Sequence, residues 1–177
     1  MLSLNLAKIR TPHTEFAQVY APEELAADND SFAVAGPVSL SFDIEKDKRR
    51  FRLAGRVRTL LVLPCCRCLE GFELDVDAPF DLRYQPKDAG AVATDGGERE
   101  LGEADLASAV YQNDEVDLGQ LMTEQFYLAL PMKALCRDEC RGLCSQCGAN
   151  LNRGQCGCAR AWEDPRFAVL RALKKES

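Results

Sequence analysis

Six of the nine cysteines stand within 23 residues, in CRDECRGLCSQCGANLNRGQCGC from Cys136 to Cys158, and the other three share the run CCRC at Cys65, Cys66 and Cys68. Thiols this dense can bridge one another, do redox chemistry or hold a metal. A structural metal such as zinc takes four thiolates in a tetrahedron, at about 2.3 Å each. Two of them usually come from a tight turn whose backbone amides point at the sulfurs. Cys144-Ser-Gln-Cys147-Gly148 has that form, and Cys156-Gly-Cys158 is a second close pair with a glycine at the bend. Gly148, Asn150, Asn152 and Gly154 lie between the pairs and tolerate the turns needed to fold back. Cys144, Cys147, Cys156 and Cys158 are therefore one candidate metal site.

Cys65 and Cys68 make another C-x-x-C, and Cys136 and Cys140 are four apart, so one helical turn would set both on one face. Neither pair closes a tetrahedron alone. Together they form a second four-thiolate site that clamps the first half of the chain to the last. The competing arrangement assigns Cys136 and Cys140 to the first site in another combination. Cys66 points away from Cys65 in extended backbone and is a spare thiol. Zinc with four thiolates carries a formal charge of about −2, which Arg67, Arg137, Arg141, Arg153 and Arg160 are placed to offset. One zinc ion is expected, or two if both sites fill; iron fits the same spacing. The alternative chemistry is a thiol-redox or metal-responsive protein using the C-x-x-C pairs. It needs two sulfurs rather than eight, and its motif usually opens a helix in a βαβ unit, which has no counterpart here.

The elements that must position these thiols are legible from alternation. Val38, Leu40, Phe42 and Ile44 alternate with polar residues, the charged stretch Glu45 to Arg50 reads as a turn, and Phe51, Leu53, Gly55, Val57, Thr59, Leu61 and Leu63 alternate again. After CCRCLEG comes Phe72, Leu74, Val76, Ala78, Phe80, Leu82 and Tyr84. Pairing the last two runs antiparallel sets Leu63 against Phe72, Leu61 against Leu74, Leu53 against Leu82, and Phe80 against Gly55, where a ring covers the missing side chain. The first cysteine cluster then sits at a hairpin tip. Residues 86–102, rich in Gly, Ala and Asp, read as an acidic loop. A helix is predicted over 118–130, with Asp117 as N-cap, Gln120 three residues on, a face of Leu118, Leu121, Met122, Gln125, Leu128 and Ala129, and Pro131 as its stop. Asp164 and Pro165 open a predicted C-terminal helix with Phe167, Leu170 and Leu173 on one stripe.

The expected fold class is α+β: an antiparallel β-sheet domain with a C-terminal helix over residues 1–131, then a Cys-rich zinc-binding module over 132–177. Hydrophobic residues make up 46% of the 177, so a core forms without covalent staples and a secreted disulfide scaffold is disfavoured. The N-terminus alternates Leu2, Leu4 and Leu6 with polar residues, unlike a signal peptide, and no apolar run reaches bilayer length. A cytoplasmic protein without membrane contact is expected.

Charge is segregated. Residues 46–68 carry eight basic side chains against one acidic, and residues 69–131 carry fifteen acidic against three basic. In the basic segment Arg50, Arg52, Arg56 and Arg58 share strand parity and, with Arg67, are candidate contacts to nucleic acid or a partner. The opposing reading has Arg58 facing Asp77, with Glu73, Asp75 and Asp81 on the same face, so that cross-strand pairs consume some of the basic row. His13 stands alone and is read as a surface residue. No catalytic constellation and no small-molecule site can be assembled, so no enzyme is expected.

The order of motifs resembles the YceD family, the large ribosomal RNA subunit accumulation proteins. The matching residues are Cys65, Arg67, Cys68 and Leu69; Asp117 and Leu118; Leu128 to Lys133; Cys136 through Asn152; and the ending DPRFAVLRALKK. Two departures are Ser145, where a proline is common, and the extra thiol Cys66. The resemblance implies a bacterial or chloroplast factor for the synthesis, processing or stability of 23S ribosomal RNA, acting through that RNA or a basic ribosomal protein. The net −12 of residues 69–131 repels phosphates and favours the protein partner.

Overall fold

The alternating runs build a long hairpin that everything else packs around. The computed structural model describes residues 2–25, 31–87 and 108–158. Their strands are β1 (Ser3–Asn5), β2 (His13–Tyr20), β3 (Ala33–Val34), β4 (Val38–Asp47), β5 (Arg50–Pro64), β6 (Gly71–Pro86), β7 (Ser108–Tyr111) and β8 (Glu115–Asp117), followed by helix α1 (Leu118–Ala129). The main sheet runs β2-β4-β5-β6-β7, with β3 added to β5 beyond the end of β4; β1 and β8 form a separate pair. In the β5–β6 hairpin, Leu63 faces Phe72, Leu61 faces Leu74, Arg58 faces Asp77, Gly55 faces Phe80 and Leu53 faces Leu82, the register expected from the pattern.

One face of this sheet is the core. Val38, Leu40, Phe42 and Ile44 of β4, Leu53, Val57, Leu61 and Leu63 of β5, and Val76, Ala78 and Phe80 of β6 are buried, and α1 closes over them with Leu118, Leu121, Met122 and Phe126. Asp117 caps the helix, its Oδ1 accepting from the Gln120 N–H at 2.9 Å. The Gln120 side chain does not reach back to close a capping box; it donates to Glu124 instead. Leu130 leaves the helix with extended backbone ahead of Pro131.

Four expectations are corrected. The sheet is mixed, because β7 pairs parallel to the end of β6; the rest of the main sheet is antiparallel. The turn before β5 shrinks to Lys48–Arg49, with Lys48 at φ 56°, because Glu45–Asp47 stay in β4 and pair with Arg50–Arg52. Leu128 is 78% exposed, and Phe126, not Leu128, fills the core face of α1. The strand β2 was not anticipated. Val19 is exposed and the apolar period there is weak, so its place beside β4 comes from pairing rather than pattern. The loop predicted over 86–102 lies outside the described residues from 88 onward, and so does the predicted C-terminal helix.

Gly55 is flanked by Phe42 and Phe80, whose rings lie 6.0 Å apart. A Cβ at Gly55 would stand 2.1 Å from the Ser41 carbonyl oxygen, which the sheet ladder holds in place. Gly55→Ala is expected to cost about 1–3 kcal/mol through overpacking, read as a lower urea midpoint with an unchanged slope.

Candidate metal centres

The same turn is built twice, once at the hairpin tip and once beyond α1. At the tip, Cys65 N–H donates to Glu70 O and Leu69 N–H to Cys65 O, both at 2.9 Å. In the second turn, Cys144 N–H donates to Ala149 O at 2.8 Å and Gly148 N–H to Cys144 O at 2.9 Å. The residue after the second cysteine is left-handed in both, Leu69 at φ 62° and Gly148 at φ 72°. This backbone is what turns amides toward a C-x-x-C sulfur.

Two quartets result. The Sγ atoms of Cys65, Cys68, Cys136 and Cys140 lie within 4.8 Å of one another, and so do those of Cys144, Cys147, Cys156 and Cys158. Cys65–Cys140 and Cys68–Cys136 Sγ distances are both 3.8 Å. That is far beyond a disulfide at about 2.05 Å and matches the edge, about 3.8 Å, of a thiolate tetrahedron around zinc with bonds of about 2.3 Å. The donor set and spacing of both quartets fit a metal ion. Cys136 and Cys140 are brought together by a non-helical turn, with Cys140 N–H bonded to Arg137 O, rather than by the helical turn expected. Cys66 is exposed and outside both quartets.

The first quartet is the better shielded. Cys65, Cys68 and Cys140 are buried with Phe72 and Leu135 against them. The tip is tied to the later segment by Cys66 N–H to Ala134 O and Leu143 N–H to Arg67 O. Gly142, at φ 73°, permits that approach: a Cβ there would meet Arg67 O at 2.9 Å. The second quartet is more open, with Cys147 exposed.

The thiols are tuned against each other. Backbone N–H groups, chiefly that of Cys136 and then those of Cys68 and Arg67, hold Cys65 down at about 6 despite burial. Burial pushes Cys140 up, but the Asn152 amide, 3.3 Å from its sulfur, and the Gly142 N–H more than offset it. Cys136 is pushed up to about 12 by burial and by the Cys140 sulfur. In the second quartet the N–H groups of Cys147 and Gln146 hold Cys144 at about 6, while the Cys147 sulfur and then burial drive Cys158 to about 12. Each quartet thus contains thiols that ionise readily and thiols that cannot follow them while the sulfurs share negative charge. A divalent cation at the centre removes that conflict.

The arginine row is largely internal business. Arg52 clasps Asp81 with two bonds, 2.8 and 2.6 Å, and reaches Glu45 at 3.2 Å; Arg56 and Arg58 both bond Asp77. Arg67 donates to the carbonyls of Asp138 and Cys140. Arg153 pairs with Glu70, adding a further tie between the tip and the second turn. Arg50, at the turn end of β5, is exposed and enters no ion pair among the described residues. The structure therefore brings the eight candidate thiols into two groups; it sets Arg50, Arg52, Arg56 and Arg58 on the outer face of β5, the last three paired with carboxylates, and Arg67 apart at the tip.

A family model described as "Large ribosomal RNA subunit accumulation protein YceD" matches residues 53–174, which contain all nine cysteines. The chain belongs to the YceD family. Two plant relatives carry the name "Large ribosomal RNA subunit accumulation protein YCED homolog 1, chloroplastic". The one from Arabidopsis thaliana is 29% identical over 158 residues, 79% of this chain and 49% of the relative. The one from Zea mays is 30% identical over 144 residues, 69% of this chain and 48% of the relative. An uncharacterised protein of Mycobacterium tuberculosis is 28% identical over 152 residues, covering 86% of this YceD chain and 69% of that protein. The chain spans about half the length of the plant relatives it matches. No solved structure matches it. Among the described residues no helix is long and apolar enough to cross a membrane.

Under conditions where metal-free protein keeps the second turn, checked by amide exchange at Cys144 and Gly148, Cys144 is expected to react with iodoacetamide with a midpoint near pH 6, since lowering its pKa leaves thiolate at neutrality. Cys158, held near 12, is expected to stay unmodified until strongly alkaline pH. Peptide mapping after a timed pulse separates the two.

Proposed function

We propose that this YceD chain is a non-catalytic, cytoplasmic factor supporting the synthesis, processing or stability of 23S ribosomal RNA, with each cysteine quartet holding a zinc ion. The family match over residues 53–174 carries the ribosomal reading. A closed four-thiolate set leaves no open position for substrate, so the metal would serve to hold shape rather than to do chemistry. Cys65, Cys68, Cys136 and Cys140 would fasten the hairpin tip to the segment after α1. Cys144, Cys147, Cys156 and Cys158 would order the last turns, making residues 132–177 a metal-dependent module on a sheet domain of residues 1–131. Because Arg52, Arg56 and Arg58 are neutralised by carboxylates of the same sheet, the partner is a basic ribosomal protein rather than the RNA backbone.

Native protein should contain about two zinc ions per chain, the number two closed tetrahedral sites require. Acid releases them, because protons compete for the thiolates. Cys65→Ser and Cys140→Ser should lose metal and lower Tm, and Cys66→Ser should do neither. Colourless, metal-free native protein with fast-reacting thiols would overturn the zinc reading in favour of redox chemistry.

Cells lacking the gene should show a fall in 23S relative to 16S ribosomal RNA, restored by the Cys66→Ser chain and not by Cys65→Ser. An unchanged ratio would refute the ribosomal role.

A further inference from the structure

The hairpin has an unused side. Cys65 N–H bonds Glu70 O at 2.9 Å, which sets the phase of the β5–β6 ladder. Antiparallel pairs alternate between bonded and non-bonded, so the even-numbered residues of β6 from Phe72 to Leu82 exchange bonds with β5. The odd-numbered ones turn their N–H and C=O groups the other way. On that side β7 takes up only Arg83–Pro86. The edge at Glu73, Asp75, Asp77 and Pro79 therefore has no partner strand among the described residues. Pro79 fits this phase, since its missing N–H would fall on the open edge, where proline is tolerated.

A groove of about 390 Å³ runs along this edge. Asp75 to Pro79 form one wall, and Gln125, Leu128 and Ala129 of α1 form the other. A strand edge facing a helix across a groove is the geometry in which extended peptides add to a sheet. We propose that this edge receives an extended segment of a partner protein in which basic and apolar residues alternate, a deepening that rests on the protein-partner reading above.

The alternation follows from the sheet. An added strand sets every second side chain beside those of its neighbour on the same face. On the outer face these neighbours are Glu73, Asp75 and Asp77, all exposed. Asp77 is shared by Arg56 and Arg58, while Glu73 and Asp75 enter no ion pair among the described residues. Lysine or arginine complements them. On the inner face the neighbours are Val76, Ala78 and the exposed Leu128, which an apolar side chain would cover. The same acidic row repels the identical edge of a second copy, as edge charges do to prevent self-pairing, and repels phosphates.

The test uses the full, metal-replete chain and a ten-residue peptide of alternating lysine and valine, followed by fluorescence anisotropy and amide exchange. Binding should slow exchange at Glu73, Asp75 and Asp77. Glu73→Lys with Asp75→Lys, and separately Asp75→Pro, should weaken it about tenfold or more, the effect of losing one or two edge interactions. Asp75→Pro removes an outward N–H and leaves the β5 ladder whole, so Tm should hold. If that variant misfolds, the same peptide N-methylated at alternate residues decides on wild-type protein, and should not bind. The proposal fails if the peptide does not bind, or if binding ignores both N-methylation and charge reversal. It fails equally if a uridine oligonucleotide or a second copy of the chain protects these amides instead. No ribosome is present in this assay, so its failure leaves the 23S result standing, and the converse also holds.

Discussion

Beyond α1, the described chain returns to the end of one long hairpin, where four sulfurs meet. Between Ala134 and Cys158 the chain has no helix or extended strand, only turns and one isolated bridge from Leu143 to Asn150. Such a segment buries too little apolar surface to offset its own conformational entropy. What it has is sulfur, delivered to a fixed point: Cys65 and Cys68 are held by a two-strand scaffold, and Cys136 and Cys140 arrive on a turn in which the Cys136 N–H faces Cys65. Negative charge on four crowded sulfurs opposes this arrangement unless a cation sits among them. On the metal reading proposed above, the order of residues 134–158 would be ionic in origin, whereas the sheet and α1 are held by a hydrophobic core.

The repeated turn shows how little sequence such a site requires. Cys144-x-x-Cys147-Gly148 uses glycine where the backbone goes left-handed. Cys65-x-x-Cys68-Leu69 makes the same turn with a leucine, at a cost of roughly 1–2 kcal/mol for a residue with a Cβ. The tip accepts that strain because β5 and β6 clamp both ends of the turn, because the Arg67 guanidinium donates to the carbonyls of Asp138 and Cys140, and because Cys66 N–H donates to Ala134 O.

What could be read in advance follows the same division. The β5–β6 register was legible because period-two alternation over some fifteen residues admits one pairing, and a slip by one would turn Leu53, Val57 and Leu61 to solvent. The pairs Cys65/Cys68 and Cys144/Cys147 were legible because C-x-x-C spacing is a local constraint, whereas the joining of Cys65 and Cys68 with Cys136 and Cys140 is one of two arrangements the spacing leaves open, because it depends on residues distant in the chain. β2 and β7 were not legible: β7 has only four residues, and the eight of β2 have mixed burial that leaves no clear period. Leu128 was misplaced because a helical stripe cannot tell which of two adjacent flanks the sheet covers; Phe126 won the core by size. The thiol pKa pattern, and the role of Asn152 beside Cys140, depend on contacts between residues far apart in the chain and have no local signature.

The charge distribution links the two halves. A basic strand beside an acidic one looks, in sequence, like two opposed binding surfaces. In the sheet they are neighbours, and Arg52, Arg56 and Arg58 are spent on Asp81, Glu45 and Asp77. Exposed pairs of this kind add little stability each, so their consequence is electrostatic rather than energetic: they erase the positive face that would follow a phosphate backbone. The surplus that survives is negative. It lies along the outer edge of β6, at Glu73 and Asp75, on the strand that leads directly out of the cysteine tip. A partner seated there would lie on the strand that ends at the first thiol quartet, so that on the proposed zinc reading loss of the metal would disturb the strand end that must hold it.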